Sequence, residues 1–379
     1  MSTLLENNFP TPIYVCEEKK LIKNISILER VQNEANCSIL LALKGFAMYS
    51  VFPHFRDVLK GTSASSLNEA RLGGEEFGGE VHLYAPAYKE EEFDSLMNYS
   101  DHIIFNSFSQ LSKFKQKVKC AKKKIEIGLR INPEYSEVET EKYDPCCKYS
   151  RLGIIKDDFL FDELDGVDGL HFHTHCGNNS DTLERTLGII ENKFGDVIKK
   201  MKWVNFGGGH HITRKDYDVD KLIDLIKAFK AKYDVNVYLE PGEAIALNAG
   251  VLVASVIAIT KNKIDLAVLD ASASAHMPDV LEMPYRPVIR ESSTPDVHPF
   301  VYRLTGGTCL AGDIIGDYSF VKPLQVGQKL IFEDMLHYTM VKNNTFNGVN
   351  LPSIAIWSEK DGFRMVKKFG YEDYKSRLS

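Results

Sequence analysis

Ile39-Leu-Leu-Ala-Leu-Lys44 is an apolar run closed by a single lysine. Such a run reads as a buried strand that delivers one amine to its tip. Desolvation lowers a lysine pKa, and an amine poised in that way is a nucleophile toward carbonyl carbon. The same residues also fit a strand-end lysine that reaches solvent, so the rest of the chain has to decide.

Working outward, Thr11-Pro-Ile-Tyr-Val15 predicts an opening strand, and Leu21, Ile25 and Leu28 then repeat at the spacing of one helix face. From residue 39 a rhythm begins. Short apolar runs at 39–44, 58–63, 81–84, 102–105, 125–131, 170–174, 203–206 and 235–239 are each separated by enough chain for a helix. Leu111, Phe114 and Val118 follow a predicted N-cap at Ser107, and Leu222, Leu225, Ile226 and Phe229 follow Asp220. Eight alternating units predict an α/β fold, a (β/α)8 TIM-like barrel, whose chemistry belongs at the strand C-termini: Lys44, His173, His175, Gly207 and Glu240. After about residue 245 strand-like runs follow one another without helices, which predicts a mostly β domain. The expected division is a barrel over 36–245, with 1–35 and 246–379 forming the β domain around it.

A chain of 379 residues, 44% hydrophobic and 26% charged, can bury a large core, and a formal charge of -6 gives no reason to expect nucleic acid as a partner. The start Met-Ser-Thr-Leu-Leu-Glu lacks the pattern of a signal peptide, and no apolar run reaches membrane-spanning length, so a cytoplasmic protein without a membrane partner is expected. Seven scattered cysteines form neither a disulfide framework nor a zinc pattern.

Phe206-Gly-Gly-Gly-His210 follows the seventh strand directly. Three glycines let backbone N–H groups approach a phosphate, although a glycine run is also an ordinary turn. Glu240-Pro-Gly242 ends the eighth strand and puts a carboxylate at the barrel mouth, unless it is merely an exposed residue before a turn. His171-Phe-His-Thr-His175 alternates, which would point three imidazoles to one face, but no cysteine pair or carboxylate is placed to complete a shell and no metal is expected.

Taken in order, Lys44, Phe172-His173, Phe206-Gly-Gly-Gly, Glu240-Pro-Gly, Gly306-Gly-Thr-Cys309 through Asp313, and Tyr338 before Thr345-Phe-Asn-Gly348 resemble the alanine-racemase-fold, pyridoxal-phosphate-dependent decarboxylases of basic amino acids. The likeness spans nearly the whole chain, and it implies roles. Lys44 would hold pyridoxal 5'-phosphate as a Schiff base, Glu240 would face the pyridinium nitrogen and His173 would stack on the ring. Gly208 and Gly209 would cradle the phosphate with help from Tyr338, and Arg130 and Glu69 would stand near the cofactor. Cys309, as proton donor, and Asp313 would reach the active site of a neighbouring subunit, which implies a homodimer.

One departure selects a branch. Ornithine, arginine and diaminopimelate decarboxylases carry arginine after Glu-Pro-Gly, whereas this chain has Glu243, and Leu310 stands where ornithine decarboxylases have Asp. A mouth that gains a carboxylate favours substrates with a distal amine. This version resembles the carboxynorspermidine and carboxyspermidine branch, which yields polyamines. A second anion for the other amine is expected in Ala275-His-Met-Pro-Asp-Val-Leu-Glu282: Asp279 by preference, Glu282 otherwise, with two plain surface acids as the alternative. The departure also leaves the phosphate short of one positive charge.

Overall fold

The computed structural model describes residues 9–283 and 285–379. It divides into two compact units, one formed by Lys23–Ile245 and the other by Ala246–Ser379 with the chain up to Ile22. The sequence expectation began the barrel at residue 36; the helix Glu18–Ala35 straddles the division.

The larger unit is a closed barrel of eight parallel strands: β2 (Ser38–Ala42), β3 (Gly61–Ala64), β4 (Glu80–Tyr84), β5 (His102–Phe105), β6 (Glu126–Arg130), β7 (Gly169–His171), β8 (Trp203–Asn205) and β9 (Asn236–Leu239). All eight apolar runs correspond to barrel strands, because both faces are covered in this fold and each strand reads as a near-continuous apolar block. Closure comes from β2 pairing with β9, Ser38 opposite Tyr238 and Ile39 opposite Leu239. Gly61 opens β3 of necessity, since a Cβ there would lie 1.9 Å from the Glu80 carbonyl oxygen of the neighbouring strand. Ser107 caps the helix Phe108–Lys119 by accepting from Gln110 N–H. For Val219–Tyr233 the cap is Asp218, which accepts from Lys221 N–H, two residues before the Asp220 that sequence suggested.

Several strands stop sooner than the apolar pattern does. β2 ends at Ala42, so Lys44 sits in the following turn, and β7 ends at His171. The residues beyond them turn into loops over the C-terminal mouth, where Gly177 N–H and Asn178 N–H both donate to the Gly209 carbonyl. Lower in the barrel, the described residues contain one Glu/His group with donor atoms close together: Glu80, His82 and His102. Its two imidazoles stack at 3.7 Å with planes 15° apart. Parallel rings project parallel lone pairs, which do not converge on one ion, and the group reads as a packed polar layer beside Trp203 and Tyr238.

The second unit is a nine-stranded sheet. β1 (Ile13–Glu17) pairs antiparallel with β10 (Gly250–Asn262) and parallel with β16 (Ser353–Ser358), so the opening strand joins this sheet as expected. The sheet continues through β11 (Ile264–Leu269), β13 (Phe300–Thr305), β14 (Ile314–Phe320) and β12 (Ser292–Ser293) on one side and β17 (Gly362–Lys367) on the other, while β15 (Lys329–Glu333) also pairs with β10. Ile13, Val15, Val251, Val253, Ile331 and Ala355 form its packed face. Strands β14 and β17 are poorly marked in the sequence, because Gly316-Asp317 and Gly362 with Arg364 break their apolar alternation. Across β13 and β14, Arg303 and Asp317 stand opposite each other and form a two-pronged ion pair at 2.8 and 2.9 Å.

Candidate active site

Lys44, Arg130, His173, Gly208, Glu240 and Glu243 all lie at the strand C-termini of the barrel unit. Lys44 is exposed at the barrel mouth, yet the protein around it desolvates the amine enough to lower its pKa from the ordinary lysine value. The Arg130 charge pushes the same way, while Glu240, Cys176 and Glu69 oppose it. An amine with a lowered pKa is the more readily deprotonated and has the chemistry of a nucleophile toward carbonyl carbon.

Glu240 is 7% exposed and accepts from Asn205 Nδ2 at 2.8 Å, with His171 Nε2 at 3.1 Å. Burial alone would raise its pKa, but the interaction with His171 and the two hydrogen bonds outweigh burial and hold it at about 2. The barrel mouth therefore has an ionised carboxylate on its floor. Burial lowers the His171 pKa from its ordinary value while Glu240 opposes the shift, and the His171 ring stacks 5.4 Å from Tyr84. Tyr84 also lies 4.5 Å from the Arg130 guanidinium, and its hydroxyl donates to Asn106 Oδ1 at 2.7 Å. Arg130 is 5% exposed, donates Nη2–H to the His173 carbonyl at 3.3 Å and leaves Nε buried without a partner. An orphaned guanidinium N–H in a barrel mouth fits a site that takes an anionic or oxygen-bearing ligand.

The three alternating histidines do not share one neighbour, because the strand ends at His171. His171 meets Glu240, His173 meets the glycine turn, and His175 packs 4.8 Å from His210. His173 Nδ1 accepts the Gly208 N–H at 2.9 Å, and burial together with the charges of Lys44 and Arg130 drives its pKa well down. It is a neutral imidazole, suited to lie against a cationic ring. The same bond corrects the cradle: Gly208 N–H serves His173, and Gly207 N–H serves Asn205 Oδ1. Gly209 keeps its structural necessity, with φ +81° and a hypothetical Cβ only 2.0 Å from the His175 carbonyl oxygen. Sequence reasoning missed Asn205, Tyr84 and the role of His171, although an asparagine inside the apolar run 203–206 was a visible signal.

A lowered amine, an ionised floor, a neutral imidazole and a crowded glycine turn together fit an aromatic aldehyde that carries a ring nitrogen and a phosphate. Comparison with known proteins agrees. Residues 13–335 match the family model described as pyridoxal-dependent decarboxylase, C-terminal sheet domain. The chain belongs to the pyridoxal-dependent decarboxylases. It is 46% identical to a carboxynorspermidine/carboxyspermidine decarboxylase of Campylobacter jejuni, over 97% of this chain and 98% of that one. It is 45% identical to a carboxyaminopropylagmatine decarboxylase of Synechocystis, over 99% and 98%. Among solved structures it resembles carboxynorspermidine decarboxylase of Campylobacter jejuni complexed with norspermidine, with a TM-score of 0.91 and 44% identity over 97% of this chain and all of that one.

The remaining expected family residues lie in the β unit. Cys309 is exposed, and its N–H donates to Asn347 Oδ1 at 2.8 Å. Asp313 departs from the expectation of substrate contact. It is 3% exposed, and its carboxylate accepts from Ser272 Oγ, Ser274 N–H, Thr308 N–H and Thr308 Oγ1. A carboxylate surrounded by four donors organises the Cys309 loop and has no capacity left for a substrate amine. Asp279 and Glu282 share the Lys342 ammonium, Glu282 at 2.7 Å. Tyr338 begins the helix Thr339–Lys342 at φ 40°, a backbone conformation that a non-glycine residue rarely adopts.

Proposed function

We propose that this chain is a pyridoxal 5'-phosphate enzyme that removes carbon dioxide from carboxynorspermidine, carboxyspermidine or both, releasing norspermidine or spermidine. The whole-length likeness to a protein crystallised with norspermidine carries this reading. Glu243 supports it physically, since it sets an anion where the diaminopimelate and ornithine enzymes are expected to have an arginine.

Lys44 would hold the cofactor, and Glu240, with Asn205 and His171 behind it, would keep the ring nitrogen protonated. The bound cofactor supplies an electron sink for the bond that breaks. His173 would cover one face of the ring, and Arg130 would meet the cofactor's oxygen atoms. Glu243 would draw a cationic nitrogen of the substrate, with Asp279 contributing a second anion once an incoming ammonium displaces Lys342. Cys309 of one subunit would return the proton to the product carbon in the site of its partner, which makes the working form a homodimer. Among the described residues no helix is long and apolar enough to cross a membrane, and we place the enzyme in the cytoplasm.

Carboxyaminopropylagmatine is a second candidate, because the Synechocystis relative named for it is almost as similar. The test is carbon dioxide release from carboxynorspermidine, carboxyspermidine, carboxyaminopropylagmatine, diaminopimelate, ornithine, lysine and arginine. The first two should lead the panel. Turnover led by diaminopimelate or ornithine would overturn the proposal, and absence of turnover with every compound would favour a binding protein built on the same fold.

A further inference from the structure

The exchange that places Glu243 after Glu-Pro-Gly removes a cation from the neighbourhood of the glycine turn, and a phosphate still has to be held there. His211, two residues beyond that turn, has the placement to compensate. Its ring packs against Gly177, where a Cβ would lie 3.5 Å from Cε1. Gly177 N–H in turn donates to the Gly209 carbonyl. The ring therefore borders the expected phosphate cradle directly.

The proton on His211 is fixed by its neighbours. Arg214 Nη1 lies 3.3 Å from His211 Nδ1, and a guanidinium offers only donors, so Nδ1 accepts and the ring proton sits on Nε2. Arg214 is itself fixed, because Nη1 also donates to the Gly177 carbonyl at 2.9 Å and Nε to Asp216 Oδ1 at 2.7 Å. Nε2 is buried and lies 3.1 Å from Glu243 Oε2, yet the N–H is off the line to that oxygen and forms no aligned hydrogen bond. A buried donor left unaligned beside a crowded glycine turn calls for an acceptor. Glu243 itself opens the short helix Glu243–Ala246, and the thiol of Cys176 feels the charges of both Glu243 and Lys44, which keeps this corner within electrostatic reach of the reacting amine.

We propose that His211, with its tautomer set by Arg214, donates Nε2–H to the cofactor phosphate and replaces the donor lost at Glu243. Glu243 competes for the same N–H and repels the phosphate, so it weakens phosphate binding while serving the substrate. This rests on pyridoxal 5'-phosphate being the cofactor, but it does not depend on which amino acid is decarboxylated.

The test compares binding of pyridoxal 5'-phosphate and of pyridoxal to the apoprotein, read by quenching of intrinsic fluorescence, so no turnover is needed. The parent should prefer the phosphorylated form. His211→Leu should cut that preference by about tenfold or more, the worth of a hydrogen bond to a charged group, with pyridoxal affinity unchanged. His211→Gln, which retains an N–H donor, should restore most of it, and Glu243→Gln should widen the preference beyond the parent's. An unchanged preference in His211→Leu, or equal loss for both ligands, overturns the proposal, as does weaker phosphate preference in Glu243→Gln. Failure of the polyamine panel with this pattern intact would instead reject the substrate reading alone.

Discussion

Replacing Glu240 by glutamine isolates its charge from its packing. The side chain is buried and meets two nitrogen donors, Asn205 Nδ2 and His171 Nε2. Asn205 retains an acceptor in the amide oxygen. The new amide N–H₂ would face the His171 Nε2–H, but His171 Nδ1 is buried without a partner, so the ring proton can move to Nδ1 and leave Nε2 as acceptor. The cost in stability should therefore be about 1 kcal/mol, one rearranged hydrogen bond. The cost in turnover is different in kind, since a carboxylate held near pKa 2 is lost as counter-charge to the cofactor nitrogen. A hydrogen bond to a charged group is worth roughly 1.5–3 kcal/mol, which predicts a fall in kcat of about 10- to 150-fold for Glu240→Gln. The assay is carbon dioxide release at saturating cofactor, with a thermal melt on the same sample. Turnover within about twofold of the parent would refute the role assigned to Glu240, and a collapsed melt would refute the argument from the His171 tautomer.

Arg130→Met removes a cation that holds the Lys44 amine down, so the pH profile for covalent attachment of pyridoxal 5'-phosphate to the apoprotein should move to higher pH; an unmoved or downshifted profile contradicts the geometry. In the apoprotein Lys44 binds its proton less tightly than in the unfolded chain, whose ordinary value is 10.5. Its contribution therefore destabilises at low pH and is relieved as pH rises from the folded value through 10.5, a slope that Lys44→Met should remove from the melting profile. Cys309→Ala should retain cofactor and slow product formation, and mixing it with Lys44→Ala subunits should restore part of the activity through hybrid dimers; no restoration would argue against sites completed by a partner. Asp313→Ala orphans the donors of Ser272, Ser274 and Thr308 and should cost about 3 kcal/mol, seen as a lower melting midpoint, whereas a direct substrate role would lower turnover with the melt unchanged.

The barrel was legible because its strands are buried on both faces and its helices on one, so period and run length carried the topology without any contact being known. Strand ends were less legible. The apolar character of Leu43, Phe172 and Phe206 continues one residue past the strand ends, because their side chains stay buried and their N–H groups still donate to the Ser63, Asn205 and Tyr238 carbonyls of the neighbouring strands. In the sheet unit, β14 was invisible for the opposite reason: Asp317 belongs to the strand by pairing with Arg303 across it, a relation between residues fourteen apart that no local periodicity records.

At the site, residues whose own side-chain type suggests chemistry were legible in the sequence, and those that contact such a residue, Asn205 and Tyr84 among them, were not. Lys44 and Glu240 announce themselves as a lone charge ending an apolar run. Asp313 announces itself equally, yet its charge is spent on Ser272, Ser274 and Thr308. Asp279 and Glu282 likewise looked like two available anions until Lys342, some sixty positions later, was found between them. A carboxylate in a sequence is a charge without an address, and whether it meets a ligand or a loop depends on which donors the fold brings to it. For this chain that dependence separates the two acidic groups in kind. Asp313 faces hydroxyl and amide donors that it cannot lose without orphaning them, whereas Asp279 and Glu282 both meet the Lys342 ammonium, a partner of the same charge type as the substrate amine proposed for them.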